Sequence, residues 1–152
     1  MMNEKSDATV DLANVDNFPF WSHDRIRFAD LDLNGHVNNI SFGVYCETGR
    51  VEFRESLTER SKPGDKTDFV VIKVTLTYLR QGYYPGNVKI GTCVLKLGNS
   101  SCTIGQGIFC DGVCIGTGET VWVYTDTAKG KSLPMPDKMR DLLTPFMRGQ
   151  DA

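Results

Sequence analysis

A change in hydrophobic period is the sequence feature that most constrains the fold. Between residues 39 and 57, apolar side chains recur at helical spacing, whereas from Val70 to Tyr78 they alternate with polar ones. Breaker residues, among them Pro85 and Gly86, divide the rest of the chain into further strand-length segments. The order is a strand near residues 21–30, one helix and four strands with short turns. This order predicts an α+β fold, with an antiparallel sheet around one long helix.

The helix predicted over Asn39–Leu57 has a wide apolar surface, which indicates burial on more than one side. Two rows of apolar side chains follow helical spacing: Ile40, Val44 and Val51 in one, and Phe42, Cys46, Phe53 and Leu57 in the other. Gly43 and Gly49 each cost about 1 kcal/mol relative to alanine inside a helix. They therefore indicate close approach of another backbone. Arg50 and the charged residues after it are interpreted as the solvated end.

A two-residue Asp-Gly segment at 111–112 separates the last two strand patterns and predicts a tight hairpin turn. In a regular ladder from that turn, Gly107 lies opposite Gly116 and Gly105 lies opposite Gly118, all on one face. A patch without side chains allows either close packing of another element or strong strand curvature. The sequence does not distinguish these two interpretations.

Composition limits the partners and the compartment of this 152-residue chain. A net charge of −2 gives no indication of nucleic acid binding. No segment has the apolar length of a membrane span, so no membrane insertion is expected. Five cysteines, an odd number lying mostly in apolar segments, favour reduced thiols and a cytoplasmic location. Two histidines, and cysteines without zinc-type spacing, predict no metal site.

A polar segment of ten residues, from Asp30 to Asn39, lies between the first strand and the helix. It contains two carboxylates, three amides and one histidine, a concentration typical of a catalytic loop. The free N–H groups of the helix that follows point back at the loop and favour an anion there. On the residues alone, Asp32 is either a catalytic carboxylate or a cap of the loop or helix, and Asn38 and Asn39 are either site residues or helix caps.

The sequence Asp-Leu-Asp-Leu-Asn-Gly-His-Val-Asn-Asn at 30–39 resembles the signature of hotdog-fold acyl thioesterases. It is similar to the 4-hydroxybenzoyl-CoA thioesterase-like group and, in its polar residues, to the plant acyl-ACP thioesterases. The resemblance implies a hotdog fold, with one long central helix wrapped by a five- or six-stranded antiparallel sheet. We divide the chain into a flexible N-terminal tail (1–18), a hotdog thioesterase domain (19–127) and a C-terminal segment with a short helix (128–152).

The same resemblance implies hydrolysis of an acyl-CoA thioester, with coenzyme A as part of the substrate and no other cofactor. It implies a homodimer or homotetramer with acyl sites at the subunit interface. Asp32 matches the main catalytic aspartate, and Asn34 and His36 match its polar partners. The backbone N–H of Asn39 matches the donor that polarises the thioester carbonyl, an interaction worth about 3 kcal/mol.

Further substrate contacts are expected from Val37 and Asn38 in the same segment and from Arg80, whose charge suits the phosphates of coenzyme A. One difference from the plant enzymes follows the long strand. Those enzymes have a glutamate where this chain has Gln81, and glutamine cannot act as a base. Glu47 is either a replacement for that glutamate or an intrahelical partner of Arg50.

Two alternatives remain open from the sequence. The first is a thioesterase that acts on acyl carrier protein, and the second is a hotdog protein that binds acyl-CoA without turnover. A protein that only binds acyl-CoA has no need of the set Asp32, Asn34 and His36. In particular, it has no need of a carboxylate beside the thioester carbonyl, since like charge disfavours the anionic intermediate. The sequence does not indicate the acyl group.

Overall fold

The structure is a computed structural model that describes residues 9–57 and 65–149. Its strands and helices are, in chain order, β1 (Phe20–Ile26), α1 (Asn39–Leu57), β2 (Thr67–Tyr78), β3 (Gly86–Leu97), β4 (Ser101–Cys110), β5 (Val113–Asp126), β6 (Lys131–Ser132) and α2 (Asp137–Leu143). Short 3-10 turns lie at Val15–Asn17, Phe28–Asp30 and Thr144–Phe146.

The strands form one antiparallel sheet in the order β1-β3-β4-β5-β2, with β6 paired to the end of β5. This arrangement confirms the α+β class and the antiparallel sheet. Because β2 pairs only with β5, it forms one edge of the sheet. The predicted bounds of α1 are also confirmed.

The prediction of a long central helix wrapped by the sheet holds only in its coarser form, a curled sheet with one principal helix. The row of Phe42, Cys46 and Phe53 on α1 is buried against the sheet. Ile40, in the other row, is 76% exposed, and Val44 and Val51 are also exposed. The expected burial on more than one side is therefore wrong for this chain, because the sheet covers a single side of α1.

Gly49 is a point where α1 approaches the sheet closely. A Cβ atom there would lie 2.7 Å from Cγ2 of Ile90 on β3 and 2.7 Å from Nε2 of Gln106 on β4. At Gly43 the nearest atom, Cδ1 of Leu76, would lie at an ordinary 3.6 Å. The expectation of close approach is thus confirmed for Gly49, although the neighbours are side chains rather than backbone. Gly43 has no such contact.

The hairpin between β4 and β5 has the predicted turn but not the predicted register. Asp111 and Gly112 have φ values of 48° and 78°, as a tight two-residue turn requires. The register shifts between Ile108 and Phe109, so that Ile108 pairs with Gly116 and Gly107 pairs with Thr117. This β-bulge puts the glycines of the two strands on opposite faces.

The glycines on the two faces of the sheet lie close to different neighbours. On the α1 side, a Cβ at Gly116 would lie 2.8 Å from the ring of Phe42. On the outer side, a Cβ at Gly105 would lie 2.8 Å from Leu12, and one at Gly107 would lie 2.9 Å from the ring of Phe18. The glycines therefore allow close packing, as the first interpretation predicted. The packing elements are α1 on one face and the N-terminal segment of residues 9–18 on the other.

The N-terminal segment that covers the outer face corrects the prediction of a flexible tail. Leu12 and Phe18 are buried, and they form a cluster with Cys93 and Phe109 of the sheet. Residues 9–18 are thus part of the folded unit, because the glycines of β3 and β4 leave room for them. Residues 1–8 lie outside the described part of the chain.

The C-terminal segment closes one end of the core. Its predicted helix is present as α2, which begins after Pro136. Leu143 and Met147 pack with Phe53 of α1 and Trp122 of β5. Cys46, Cys93 and Cys102 are buried, Cys110 and Cys114 are partly buried, and none of the five forms a disulfide in this structure. Within residues 9–57 and 65–149, no helix is long and apolar enough to cross a membrane.

Candidate active site

The polar loop is anchored to α1 through the buried Asp30. Oδ2 of Asp30 accepts hydrogen bonds from the Arg27 backbone N–H (2.9 Å) and from the Tyr45 hydroxyl (2.8 Å). Its backbone oxygen accepts from the N–H of Asn38 (2.8 Å) and from the Ser41 hydroxyl (3.1 Å). These bonds join both ends of the loop, so the start of α1 is fixed relative to the end of β1.

The charge of Asp30 is stabilised by these donors. Burial raises the pKa of its carboxyl group, but the Arg27 backbone N–H, the Tyr45 hydroxyl and the Arg27 guanidinium together lower that pKa below its ordinary value. Burial and the negative charge of Asp30 raise the pKa of Tyr45 well above the usual range. Asp30 is therefore an ionised structural carboxylate in contact with a neutral tyrosine.

A second anchor joins the loop to the connection between β2 and β3. The N–H of Val37 donates to the backbone oxygen of Gly82 over 2.9 Å, and His36 forms an isolated β-bridge with Tyr83. The rings of His36 and Tyr83 are nearly perpendicular, with centroids 5.3 Å apart. The side chain of Val37 is buried in the hydrophobic core, so it also holds the loop against the rest of the fold.

The carboxylate of Asp32 uses one of its two oxygens to shape the loop. Oδ1 accepts hydrogen bonds from the backbone N–H groups of Asn34 (2.9 Å) and His36 (3.2 Å). The turn is completed by Gly35, whose φ of 76° favours glycine. Oδ2 of Asp32 accepts no hydrogen bond from any described residue. The capping role of Asp32 is therefore real, and it leaves one carboxylate oxygen available.

The start of α1 provides a donor beside this carboxylate. Oδ1 of Asn38 accepts the N–H of Ile40 (3.0 Å), and its backbone oxygen accepts that of Ser41 (2.9 Å), which makes Asn38 the helix cap. Asn39 is the first helical residue, and its N–H has no partner among the described residues. That N–H lies at the positive end of the helix dipole.

A pocket of about 320 Å³ brings most of the predicted site residues together. Its polar lining is formed by Asp32, Asn34, His36, Asn39, Arg80 and Gln81. Val37 also lines the pocket, whereas Asn38 does not line it and acts as the helix cap.

Sequence reasoning missed two aromatic walls of the pocket, Phe42 of α1 and Tyr78 of β2. Their rings are perpendicular, with centroids 5.1 Å apart. The position of Tyr78 at the end of the alternating strand pattern, just before Arg80 and Gln81, is the signal that would have identified it. An aromatic wall opposite a polar loop suits a ligand with one polar and one apolar part.

Glu47 does not belong to this pocket. It lies eight residues after Asn39, which corresponds to about 12 Å along the helix axis, and it lines a separate pocket with Arg50. The structure therefore does not bring Glu47 to the position of the missing glutamate. Gln81 does line the active-site pocket, where its Oε1 accepts a hydrogen bond from the Tyr83 hydroxyl (2.9 Å). Among residues 9–57 and 65–149, no cluster of histidine, cysteine or acidic side chains could hold a metal ion.

The sheet, the helix and the loop have the arrangement of the hotdog fold, and comparison with known proteins gives the family. Residues 26–143 match the family model described as the thioesterase-like superfamily. The chain therefore belongs to that superfamily. An uncharacterized protein of Bacillus subtilis, YsmA, is 28% identical over 130 residues, which cover 84% of this chain and 86% of that protein.

Two solved structures illustrate the similarity. A predicted thioesterase from Bacillus stearothermophilus is 30% identical, with a TM-score of 0.79 over 86% of this chain and 98% of that one. A Thermus thermophilus thioesterase, solved with coenzyme A and zinc, is 27% identical, with a TM-score of 0.75 over 86% of this chain and 95% of that one. Thioester hydrolysis is thus the general activity that the family supports.

Proposed function

We propose that this protein hydrolyses acyl-CoA thioesters to a free acid and coenzyme A, with Asp32 as the catalytic carboxylate. One observation carries this proposal. Asp32, with one carboxylate oxygen unengaged by the described residues, and Asn39, with its backbone N–H unengaged by them, line the same pocket. Hydrolysis of a thioester needs this pair, a base or nucleophile for the carbonyl carbon and a donor for the carbonyl oxygen.

The backbone N–H of Asn39, supported by the dipole of α1, donates to the thioester carbonyl and stabilises the negative charge that develops on its oxygen. Asp32 either removes a proton from the attacking water or attacks the carbonyl carbon itself. The carbon–sulfur bond then breaks, and the thiolate of coenzyme A leaves and takes up the proton that Asp32 removed from water. If Asp32 itself attacks, the thiolate leaves first and is protonated from the solvent, and water then hydrolyses the acyl anhydride on Asp32 to release the free acid and restore the carboxylate. His36 and Asn34 line the pocket beside Asp32, where they orient the attacking water or the carboxylate.

Coenzyme A is favoured over a carrier protein by two observations. Arg80 is exposed at the pocket, where its guanidinium can meet a phosphate from the solvent side. The similar Thermus thermophilus thioesterase was solved with coenzyme A. Free thiols on every cysteine suit a reducing compartment, and the cytoplasm is the proposed location.

Asp32→Asn is the variant that tests the mechanism, because asparagine keeps an oxygen to accept the two loop N–H groups. Thiol release is measured with short, long and aromatic acyl-CoAs. The variant should lose about two orders of magnitude or more in kcat/KM while staying folded. Asp16→Asn, which removes the same charge at an exposed position outside the pocket, should retain activity. If Asp32→Asn keeps most of the wild-type rate, or if no acyl-CoA is hydrolysed, the proposal is wrong.

A homodimer or homotetramer is the proposed assembly, because the exposed apolar surface of β2 lies at an open sheet edge. Ile72 is 63% exposed there, and Val70 and Val74 are also exposed. A second copy on this side would also cover Ile40 and Val44, in the exposed row of α1. Light scattering should find an oligomer for the wild type and a smaller species for Ile72→Lys. Val15→Lys, at an exposed site distant in sequence, is the control and should leave the assembly unchanged. A monomeric wild type would contradict this proposal.

A further inference from the structure

Arg50 is a buried cation that forms no ion pair with the described residues. Its side chain, interpreted from the sequence as part of a solvated helix end, is only 9% exposed. Nη1 donates to Oε1 of Gln106 (3.3 Å) and to Oγ1 of Thr120 (3.2 Å), and both acceptors are neutral. Within the described part of the chain, no carboxylate lies within ion-pair distance of Arg50.

The neutral partners of Arg50 are fixed by the sheet. Nε2 of Gln106 donates to the backbone oxygen of Cys46 (3.0 Å) and to the hydroxyl of Thr92 (3.2 Å), which turns the amide oxygen toward Arg50. Gly49, which precedes Arg50, packs against the same glutamine, since a Cβ atom at Gly49 would lie 2.7 Å from Nε2 of Gln106. The position of the guanidinium is thus set by the fold rather than by a counter-ion.

The guanidinium opens onto a second pocket, of about 270 Å³, between the C-terminal half of α1 and strands β2 and β5. Apolar and aromatic side chains form much of its wall: Val51, Phe69, Val71 and Trp122. The other guanidinium in this pocket is already neutralised, since Nη2 of Arg54 lies 3.0 Å from Oδ1 of Asp68. Glu47 and Glu55 also line the pocket, and the charge of Glu47 raises the pKa of Arg50, but by less than burial lowers it. Both carboxylates are exposed, so water weakens their effect on the guanidinium.

A buried charge is costly unless an opposite charge compensates it. Burial lowers the pKa of Arg50, but an arginine side chain stays ionised at neutral pH. A carboxylate fits both the charge and the planar, forked geometry of a guanidinium. The surrounding Trp122 and Phe69 fit an apolar or aromatic body attached to it.

We infer that this second pocket binds an amphipathic carboxylate, with the anionic group on Arg50 and the apolar body against Trp122 and Phe69. Two sources have this chemistry. One is a free carboxylic acid, the kind of product that the proposed function releases. The other is the far end of an acyl chain that carries a second carboxylate. Arg50 lies about 16 Å from Asn39 along α1, at 1.5 Å per residue, so the second source requires a long chain.

Trp122 provides the readout for a binding test that needs no turnover. The chain has one other tryptophan, Trp21, which lies on the outer face of the sheet with Phe18 and Phe109. In a Trp21→Phe background, octanoate is titrated against the emission of Trp122, and octanamide serves as the neutral ligand of the same shape. Octanoate should bind about tenfold or more tightly than octanamide, because only the acid makes a charge-assisted bond.

Variants at Arg50 separate charge from packing. Arg50→Gln should abolish the preference for the acid, whereas Arg50→Lys should retain part of that preference. The lysine variant keeps the test informative if the glutamine variant does not fold. Arg140→Gln, which removes a guanidinium bound to backbone carbonyls elsewhere, should change nothing. Equal binding of acid and amide, no binding of either, or wild-type preference in a folded Arg50→Gln protein would overturn the inference.

A kinetic comparison then distinguishes the two sources, and this step alone rests on the proposed function. Long acyl-CoAs with a terminal carboxylate are compared with methyl-terminated ones of equal length. A preference for the former in kcat/KM that disappears in Arg50→Gln assigns the pocket to the far end of the substrate. Equal rates, together with octanoate binding, assign it to the free acid. Complete lack of turnover contradicts the proposed function and leaves the binding result unaffected.

Discussion

Replacing Tyr45 with phenylalanine tests whether the buried Asp30 anchor holds the active-site loop. Tyr45 is fully buried, and its hydroxyl donates to Oδ2 of Asp30 over 2.8 Å. Phenylalanine preserves the packing of the ring and removes only this hydrogen bond. The carboxylate keeps its bonds to the backbone and side chain of Arg27, so it stays ionised but loses one donor.

A hydrogen bond to a charged group contributes about 1.5–3 kcal/mol to stability. We therefore expect Tyr45→Phe to lower the free energy of unfolding by that amount, as measured by urea denaturation at pH 7. Activity should fall as well, because the backbone oxygen of Asp30 holds Asn38 and Ser41 at the start of α1. A loop displaced by a fraction of an ångström separates Asp32 from the Asn39 donor.

Tyr124→Phe is the matched control. The hydroxyl of Tyr124 donates to the hydroxyl of Thr67 over 2.9 Å in an exposed position, so the bond is neutral and accessible to water. Its loss should cost clearly less than the loss at Tyr45, at most about 1 kcal/mol. If the two variants are equally stable and equally active, the anchoring role of Asp30 is refuted.

Three further predictions follow from burial and close packing. The pKa of Asp30 is lowered in the folded state, so the contribution of its charge to stability is present above about pH 4 and is lost as the pH falls through the folded pKa. The difference in unfolding free energy between wild type and Asp30→Asn should therefore shrink as the pH falls. Gly49→Ala should destabilise the fold by about 1–3 kcal/mol in urea denaturation, whereas Gly43→Ala should be neutral or stabilising. Burial raises the pKa of Cys46 to about 11 and that of Cys102 to about 12, so neither thiol should react with a thiol reagent at neutral pH until the protein unfolds.

Each of these predictions has a result that contradicts it. A stability difference for Asp30→Asn that grows toward low pH would reverse the assigned sign. A Gly49→Ala protein as stable as Gly43→Ala would mean that Gln106 and Ile90 move aside without cost. Labelling of Cys46 in the native protein, identified by peptide mass mapping, would show that the helix-to-sheet core opens far more often than its packing implies.

The sequence predicted those parts of the fold that depend on local pattern. The bounds of α1, the presence of a short C-terminal helix and the turn at Asp111 follow from periodicity and turn chemistry, which are properties of neighbouring residues. The register beyond that turn was wrong, because a single bulge at β4 and β5 shifts every later pair by one residue. The packing of Leu12 on the sheet was missed because the space for it is provided by Gly105 and Gly107, which give no hydrophobic signal.

The active-site loop was predictable because its polar residues are consecutive in the chain. Asp32, Asn34, His36 and Asn39 meet in one pocket because the loop turns tightly at Gly35 and the helix begins directly after it. Burial of Arg50 was missed since charge alone suggested a solvated position. Its spacing of four from Cys46 places it on the buried row of α1, and this was the available signal.

The glycine-lined outer face of the sheet has a consequence for the order of folding. Leu12 and Phe18, among the first described residues to leave the ribosome, pack on Gly105 and Gly107 of β4, which are synthesised much later. Contacts between such distant parts of a chain require closure of a long loop and form slowly. We therefore expect the N-terminal segment to dock only after the β3-β4-β5 meander exists, as a late step that covers the outer face of the sheet.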